Sequence, residues 1–168
     1  MLIAALLLSF QTAPAPVCTA MDANLPASPS QWATPRHGDP GDLTRPVVLV
    51  SRTAEDMARL DAMPKKPLSA DELGTIIAQR PAPAQTGGMT RIGFRIDTAG
   101  TYGIALDQAG WIDVAPKGGA ALKSVKHGHG PECSTIRKIV RFDLRPGAYT
   151  LTLTKLVKPQ AKVMLVKD

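Results

Sequence analysis

Arg91-Ile-Gly-Phe-Arg-Ile96, the turn Asp97-Thr-Ala-Gly100, then Thr101-Tyr-Gly-Ile-Ala-Leu106: apolar and polar side chains alternate, the chain turns, and they alternate again. Successive side chains on a strand point to opposite faces, so Ile92, Phe94 and Ile96 share one face and predict a half-buried strand. The pattern continues outward. Gln108-Ala-Gly110 turns before Trp111-Ile-Asp-Val114, and Lys117-Gly-Gly119 turns before a further strand expected over Leu122 to Val125. Beyond a His/Gly segment, Ile136, Val140, Phe142 and Leu144 are the inward candidates of the next strand. Arg145-Pro-Gly147 then turns into Ala148-Tyr-Thr-Leu-Thr-Leu-Thr154, and Lys162-Val-Met-Leu-Val166 closes the series. Short alternating strands with glycine-bearing turns at near-regular spacing predict an all-β sandwich or barrel.

Upstream of Met89 the pattern changes. Pro46-Val-Val-Leu-Val50 is a short β-branched run and reads as a strand. Thr53-x-x-Asp56 and Ser69-x-x-Glu72 have capping-box spacing and predict two short helices, Thr53 to Ala62 and Ala70 to Gln79. Residues 12–46 are rich in Pro, Ala, Ser and Asp without periodicity, which suits an extended lead-in that docks Trp32 onto the body. The expected organisation is a signal peptide over 1–20, the lead-in over 21–46 and one β-sandwich domain over 47–168.

Export is expected from the N-terminus. The first 20 residues carry no charged side chain, and Leu2 to Phe10 is a compact apolar run followed by Ala13-Pro14-Ala15. Nine residues are too few to cross a bilayer as a helix, which takes about 20, but they suit the apolar region of a signal peptide. No transmembrane segment is expected in the mature protein, which would be periplasmic or secreted. The two cysteines, Cys18 and Cys133, then form a disulfide by default if cleavage precedes Cys18. If cleavage falls after Ala20, Cys133 is left alone as a thiol or ligand.

His127-Gly-His129-Gly-Pro-Glu132-Cys133 places two imidazoles, a carboxylate and a thiol within seven residues. Histidines at i and i+2 can chelate Zn, Cu, Ni or Fe from one side of an extended segment, with Glu132 as a carboxylate ligand. His37, the only other histidine, could complete the set if the lead-in folds back. The bland reading is a Gly/Pro-rich loop between strands, pinned by the Cys18–Cys133 disulfide. No catalytic residues can be assigned, because the carboxylates are scattered and Ser134 lacks a nucleophile elbow.

From Lys117 onward there are 11 Lys or Arg against 3 acidic residues, although the whole chain carries only +6. Arg137, Lys138 and Arg141 are the candidates for binding an anionic polymer or a cell-envelope surface. Nucleic acid is not expected, since aromatics make up 4% of the chain and leave little stacking surface. Trp111, in a strong strand, is expected in the core; exposed, it would fit a sugar platform.

Phe94, Ala99-Gly-Thr-Tyr102, Trp111-Ile-Asp-Val114 and Leu144-Arg-Pro-Gly-Ala-Tyr-Thr-Leu151 together resemble jelly-roll domains such as the pre-peptidase C-terminal domains. That resemblance implies a jelly-roll-like sandwich and little about function. Residues 89–168, through His127-Gly-His-Gly-Pro-Glu-Cys-Ser-Thr-Ile-Arg-Lys138, are also similar to small exported proteobacterial proteins of unestablished role. Some of these carry the label homogentisate 1,2-dioxygenase, which implies a metal-dependent oxidoreductase. The chain departs from a cupin dioxygenase in two ways. Two residues separate His129 from Glu132 where the first cupin motif has three or four, and no histidine follows residue 129. The expected function is a non-enzymatic exported binding or accessory module; the alternative is a metal-binding or metal-dependent protein built on His127, His129 and Glu132.

Overall fold

The computed structural model describes residues 18–35, 41–63, 66–79 and 82–167. In chain order its elements are β1 (Val47–Val50), α1 (Ala54–Ala62), α2 (Ala70–Ala78), β2 (Gly88–Ile96), β3 (Gly100–Leu106), β4 (Trp111–Pro116), β5 (Lys126–Gly128), β6 (Lys138–Leu144), β7 (Gly147–Leu156) and β8 (Gln160–Lys167). The chain is an all-β sandwich, with one antiparallel sheet ordered β1-β8-β3-β6-β5 and the other β2-β7-β4.

The pairing follows a simple rule. β1 pairs with β8, β2 with β7 and β3 with β6. This is one long hairpin rolled up so that its rungs fall alternately in two sheets, which is jelly-roll wrapping. The fourth rung, β4 with β5, is missing. The Leu122 N–H still donates to the Val114 carbonyl of β4 at 2.8 Å, but the Val125 N–H donates to the Arg141 carbonyl of β6, also at 2.8 Å. Between these residues the chain crosses from the edge of one sheet to the edge of the other. The strand expected over Leu122 to Val125 therefore starts later, at Lys126.

Between the sheets lies the core that alternation foretold: Ile92, Phe94 and Ile96 meet Ile104, Leu106, Val114, Phe142, Leu144, Leu151 and Leu153. Burying each such side chain contributes roughly 1.5–3 kcal/mol. The two tyrosines of the turn motifs brace their own strands. Tyr102 Oη donates to the Thr98 carbonyl at 2.7 Å, and Tyr149 Oη donates to the Arg145 carbonyl at 2.9 Å while accepting from the Arg145 N–H. Each ring thus enters the core while its hydroxyl ties down the preceding turn. Phe94 stacks on Tyr149 with ring centroids 5.6 Å apart.

The five-stranded sheet is buried on its other face as well. Ala105, Ile139, Met164 and Val166 point away from the inter-sheet core and pack with Trp32, Ile136 and Leu25. The lead-in is therefore a third layer. Trp32, in a 3-10 turn over Ser30–Ala33, is wholly buried. Ile136 belongs to this outer cluster, not to the inter-sheet face expected of it, because it precedes β6 and lies beneath the lead-in. Polar bonds hold the layer around Thr135. Its hydroxyl accepts from Trp32 Nε1 at 2.8 Å, and its N–H and hydroxyl both donate to the Asp22 carboxylate at 2.6 Å. The Lys162 ammonium lies 4.4 Å from the Trp32 ring centroid and 3.9 Å from Asp22. A disulfide joins Cys18 to Cys133.

Both expected helices form, as an excursion between β1 and β2. The Thr53 side chain accepts from the Asp56 N–H, and Ser69 and Glu72 complete a reciprocal capping box. The base of the excursion is pinned at buried Ser51, whose hydroxyl donates to the Ala84 carbonyl at 2.8 Å and whose carbonyl accepts from the Ala84 N–H.

One half-buried carboxylate in the frame opposes folding. Asp107 Oδ1 accepts from the Lys162 N–H at 3.0 Å. Burial pushes its carboxyl above the usual aspartate range, outweighing the hydrogen bond and the charges of Lys158 and Lys162. An acid whose pKa is raised on folding favours the native state least when ionised, so its penalty is present at neutral pH and lost on acidification. Asp107→Asn keeps an oxygen acceptor. It should raise the thermal midpoint at pH 7, with the gain shrinking as pH falls through the aspartate range; a lower midpoint at pH 7 would contradict this reading.

Candidate functional site

The missing fourth rung leaves the sandwich open along one side. A cleft of about 450 Å³ lies there, with Trp111 and Ile112 of β4 on one wall and His127 of β5 with Lys138 and Val140 of β6 on the other. His129 stands just past β5 and also lines it.

Strand register explains this meeting. His127 is paired with Val140, and Val140 packs against the inter-sheet core, so both share the inward face at the sheet's edge. Lys138 is two residues before Val140, and His129 is two after His127, so each follows its neighbour to the same side. The i, i+2 histidine spacing thus places both imidazoles at one cleft. On β4, Ile112 and Val114 take the core face, which leaves Trp111 and Asp113 outward. Trp111 is 60% exposed, the reverse of the core position expected for it, and its Nε1 donates to Asp113 Oδ1 at 3.2 Å.

Lys138 links the two walls. Its ammonium donates to the Gly110 carbonyl, in the turn that leads into Trp111. Burial pushes this ammonium below the usual lysine range.

The other expected site residues are scattered. Glu132 is exposed in the loop after His129 and is not among the residues lining the cleft. The Cys133 sulfur is committed to the disulfide, so the default pairing expected of the cysteines is the one found and no thiolate is left to bind a metal. His37 lies outside the described residues. Among the described residues no group of three or more His, Cys, Asp and Glu is placed to hold a metal ion. The basic trio is also divided. Lys138 faces the cleft, Arg137 is exposed before β6, and Arg141 pairs with Gly103 and Lys126 on the opposite face.

No family model, curated protein or solved structure matches the chain. Among the described residues no helix is long and apolar enough to cross a membrane.

Proposed function

We propose that the chain is an exported, non-enzymatic β-sandwich binding module that holds a saccharide in the cleft beside Trp111. The single observation that carries this reading is the contrast between its two tryptophans: Trp32 is fully buried, whereas Trp111 stands 60% exposed at the mouth of a cleft. An exposed indole presents a flat apolar face suited to the apolar face of a sugar ring, and nearby polar groups fix orientation. His127, His129 and Lys138 supply those groups.

Export is supported by the charge-free apolar run Leu2 to Phe10 and by the disulfide, since disulfides persist in oxidising compartments. A periplasmic or secreted location follows, with the cell-envelope surface as a setting for the ligand and no nucleic-acid partner. The resemblance to pre-peptidase C-terminal domains and to small exported proteobacterial proteins belongs to the same proposal, as an accessory module. The metal-dependent alternative lacks a third ligand beside His127 and His129 among the described residues.

Trp111→Ala tests the reading. Binding to immobilised oligosaccharides should weaken by about 30-fold, the effect of losing an aromatic anchor. The thermal midpoint should scarcely move, because substitution of an exposed side chain away from the core changes stability by about 0.5 kcal/mol or less. Unchanged binding in the variant, or no saccharide binding by the native protein, would sink the proposal.

A further inference from the structure

We infer that the saccharide bound in this cleft carries an anionic group, and that Lys138, flanked by His127 and His129, is the seat of that group. The inference rests on the saccharide reading above and adds the charge of the ligand to it.

The starting point is a cation without a counter-ion. Lys138 lines the cleft on the inward face of β6, and among the described residues no carboxylate forms an ion pair with it. Among the described residues no Asp or Glu lines the cleft either. The nearest acid by sequence on the facing wall, Asp113, already accepts from the Trp111 indole. Glu132, in the adjoining loop, is exposed and does not line the cleft. An ammonium carries three donors, and Lys138 gives one to the Gly110 carbonyl, a neutral partner.

Removing a cation from water without an opposite charge is costly, and proteins ordinarily compensate with a carboxylate. Lys138 is partly buried, and a share of that cost shows as an ammonium pushed below the lysine range by desolvation, with no attractive charge to offset it. An anionic ligand would supply the missing partner and make a charge-assisted hydrogen bond to the ammonium. The imidazoles of His127 and His129 line the same cleft and add donors there. Lys126 and Lys123 on the adjoining segment are exposed and carry the same sign of charge. The approach to the cleft is therefore basic, which favours encounter with an anion. Trp111, at the mouth, and Lys138 line the same cleft, so one ligand can reach both the indole and the ammonium.

A carboxylate and a sulfate ester would satisfy this chemistry alike, and their geometry separates them only by experiment. Calorimetric titration of the native protein should compare galacturonate oligomers, sulfated galactose oligomers and neutral galactose oligomers of equal length. One or both acidic ligands should bind at least about tenfold tighter than the neutral one, and that margin should narrow as salt rises, since exposed charges are screened within about 10 Å at 0.1 M ionic strength. A preference for galacturonate assigns the site to carboxylates; a preference for the sulfated chain assigns it to sulfate esters. Lys138→Met keeps the aliphatic stem and should abolish the margin while retaining neutral binding. Lys138→Arg should retain it and shows that the strand still folds with a long cation in place. Equal affinity for acidic and neutral oligomers in the native protein would overturn this inference and leave the saccharide reading intact. An acidic preference that survives in Lys138→Met would overturn the assignment to Lys138. Failure of all three oligomers to bind would overturn the saccharide reading itself.

Discussion

Alanine in place of Trp32 is expected to destabilise the protein by about 3–5 kcal/mol, the usual cost of truncating a buried aromatic. In a chain of 168 residues that corresponds to a fall of roughly 10 °C in the thermal midpoint. Three losses combine. The indole is the largest side chain in the cluster with Ile136, Ile139, Met164 and Val166, its Nε1 donates to Thr135, and its ring lies under the Lys162 ammonium. Truncation leaves the Thr135 hydroxyl and Lys162 short of a partner and opens the outer face of the five-stranded sheet. Increased binding of a hydrophobic dye should therefore accompany the lower midpoint. A midpoint within about 1 °C of the native value, too small for a buried aromatic, would show that the lead-in is not a structural layer.

The disulfide is the second strong anchor of that layer. Cys18 and Cys133 are 115 residues apart, and the chain-entropy model gives about 5 kcal/mol for closing a loop of that length, within a usual range of about 2–5 kcal/mol. Cys18→Ser and Cys133→Ser should each lower the midpoint by a similar amount, as should mild reduction of the native protein. Since Trp32 and the disulfide secure the same segment, the variant lacking both should lose less than the two single losses combined. Full additivity in denaturant titrations would mean that the two anchors act on separate units.

Much of this architecture was legible in the residues, and the reasons are local. Apart from the strand expected over 122–125, alternation and β-branched runs identified the strands from Arg91 onward because at least one face of each packs on the core. Thr53 and Ser69 marked both helices through their caps. The disulfide was the default expectation for two cysteines in a chain read as exported, provided that Cys18 is retained. What escaped depends on contacts between distant segments. The break in the β4–β5 rung is set by a crossing between sheets, which period-two patterning of 122–128 does not report. The lead-in gave no periodic signal because it covers the sheet through one tryptophan and a network around Thr135.

The site was partly readable. The histidines were singled out for their spacing, and that spacing does place them on one side of the cleft. Trp111 was misplaced although a signal was present: with Ile112 and Val114 assigned inward, alternation sends Trp111 outward. By the same parity Lys138 shares the face of Val140, Phe142 and Leu144, whereas Arg137 and Arg141 do not. Sorting the basic trio by face would have isolated the one lysine that enters the cleft.

The central claim is that ligand binds at the open edge of the sandwich, against Trp111. It is tested most directly by nuclear magnetic resonance of the nitrogen-15-labelled protein during titration with a galacturonate oligomer. Its two tryptophans supply two indole N–H signals, one from Trp111 at the cleft and one from Trp32 beneath the lead-in. The Trp111 signal and the His127 and Gly128 amides should shift together and saturate, while the Trp32 signal stays in place. A stationary Trp111 signal, with shifts gathered on another surface, would contradict the account.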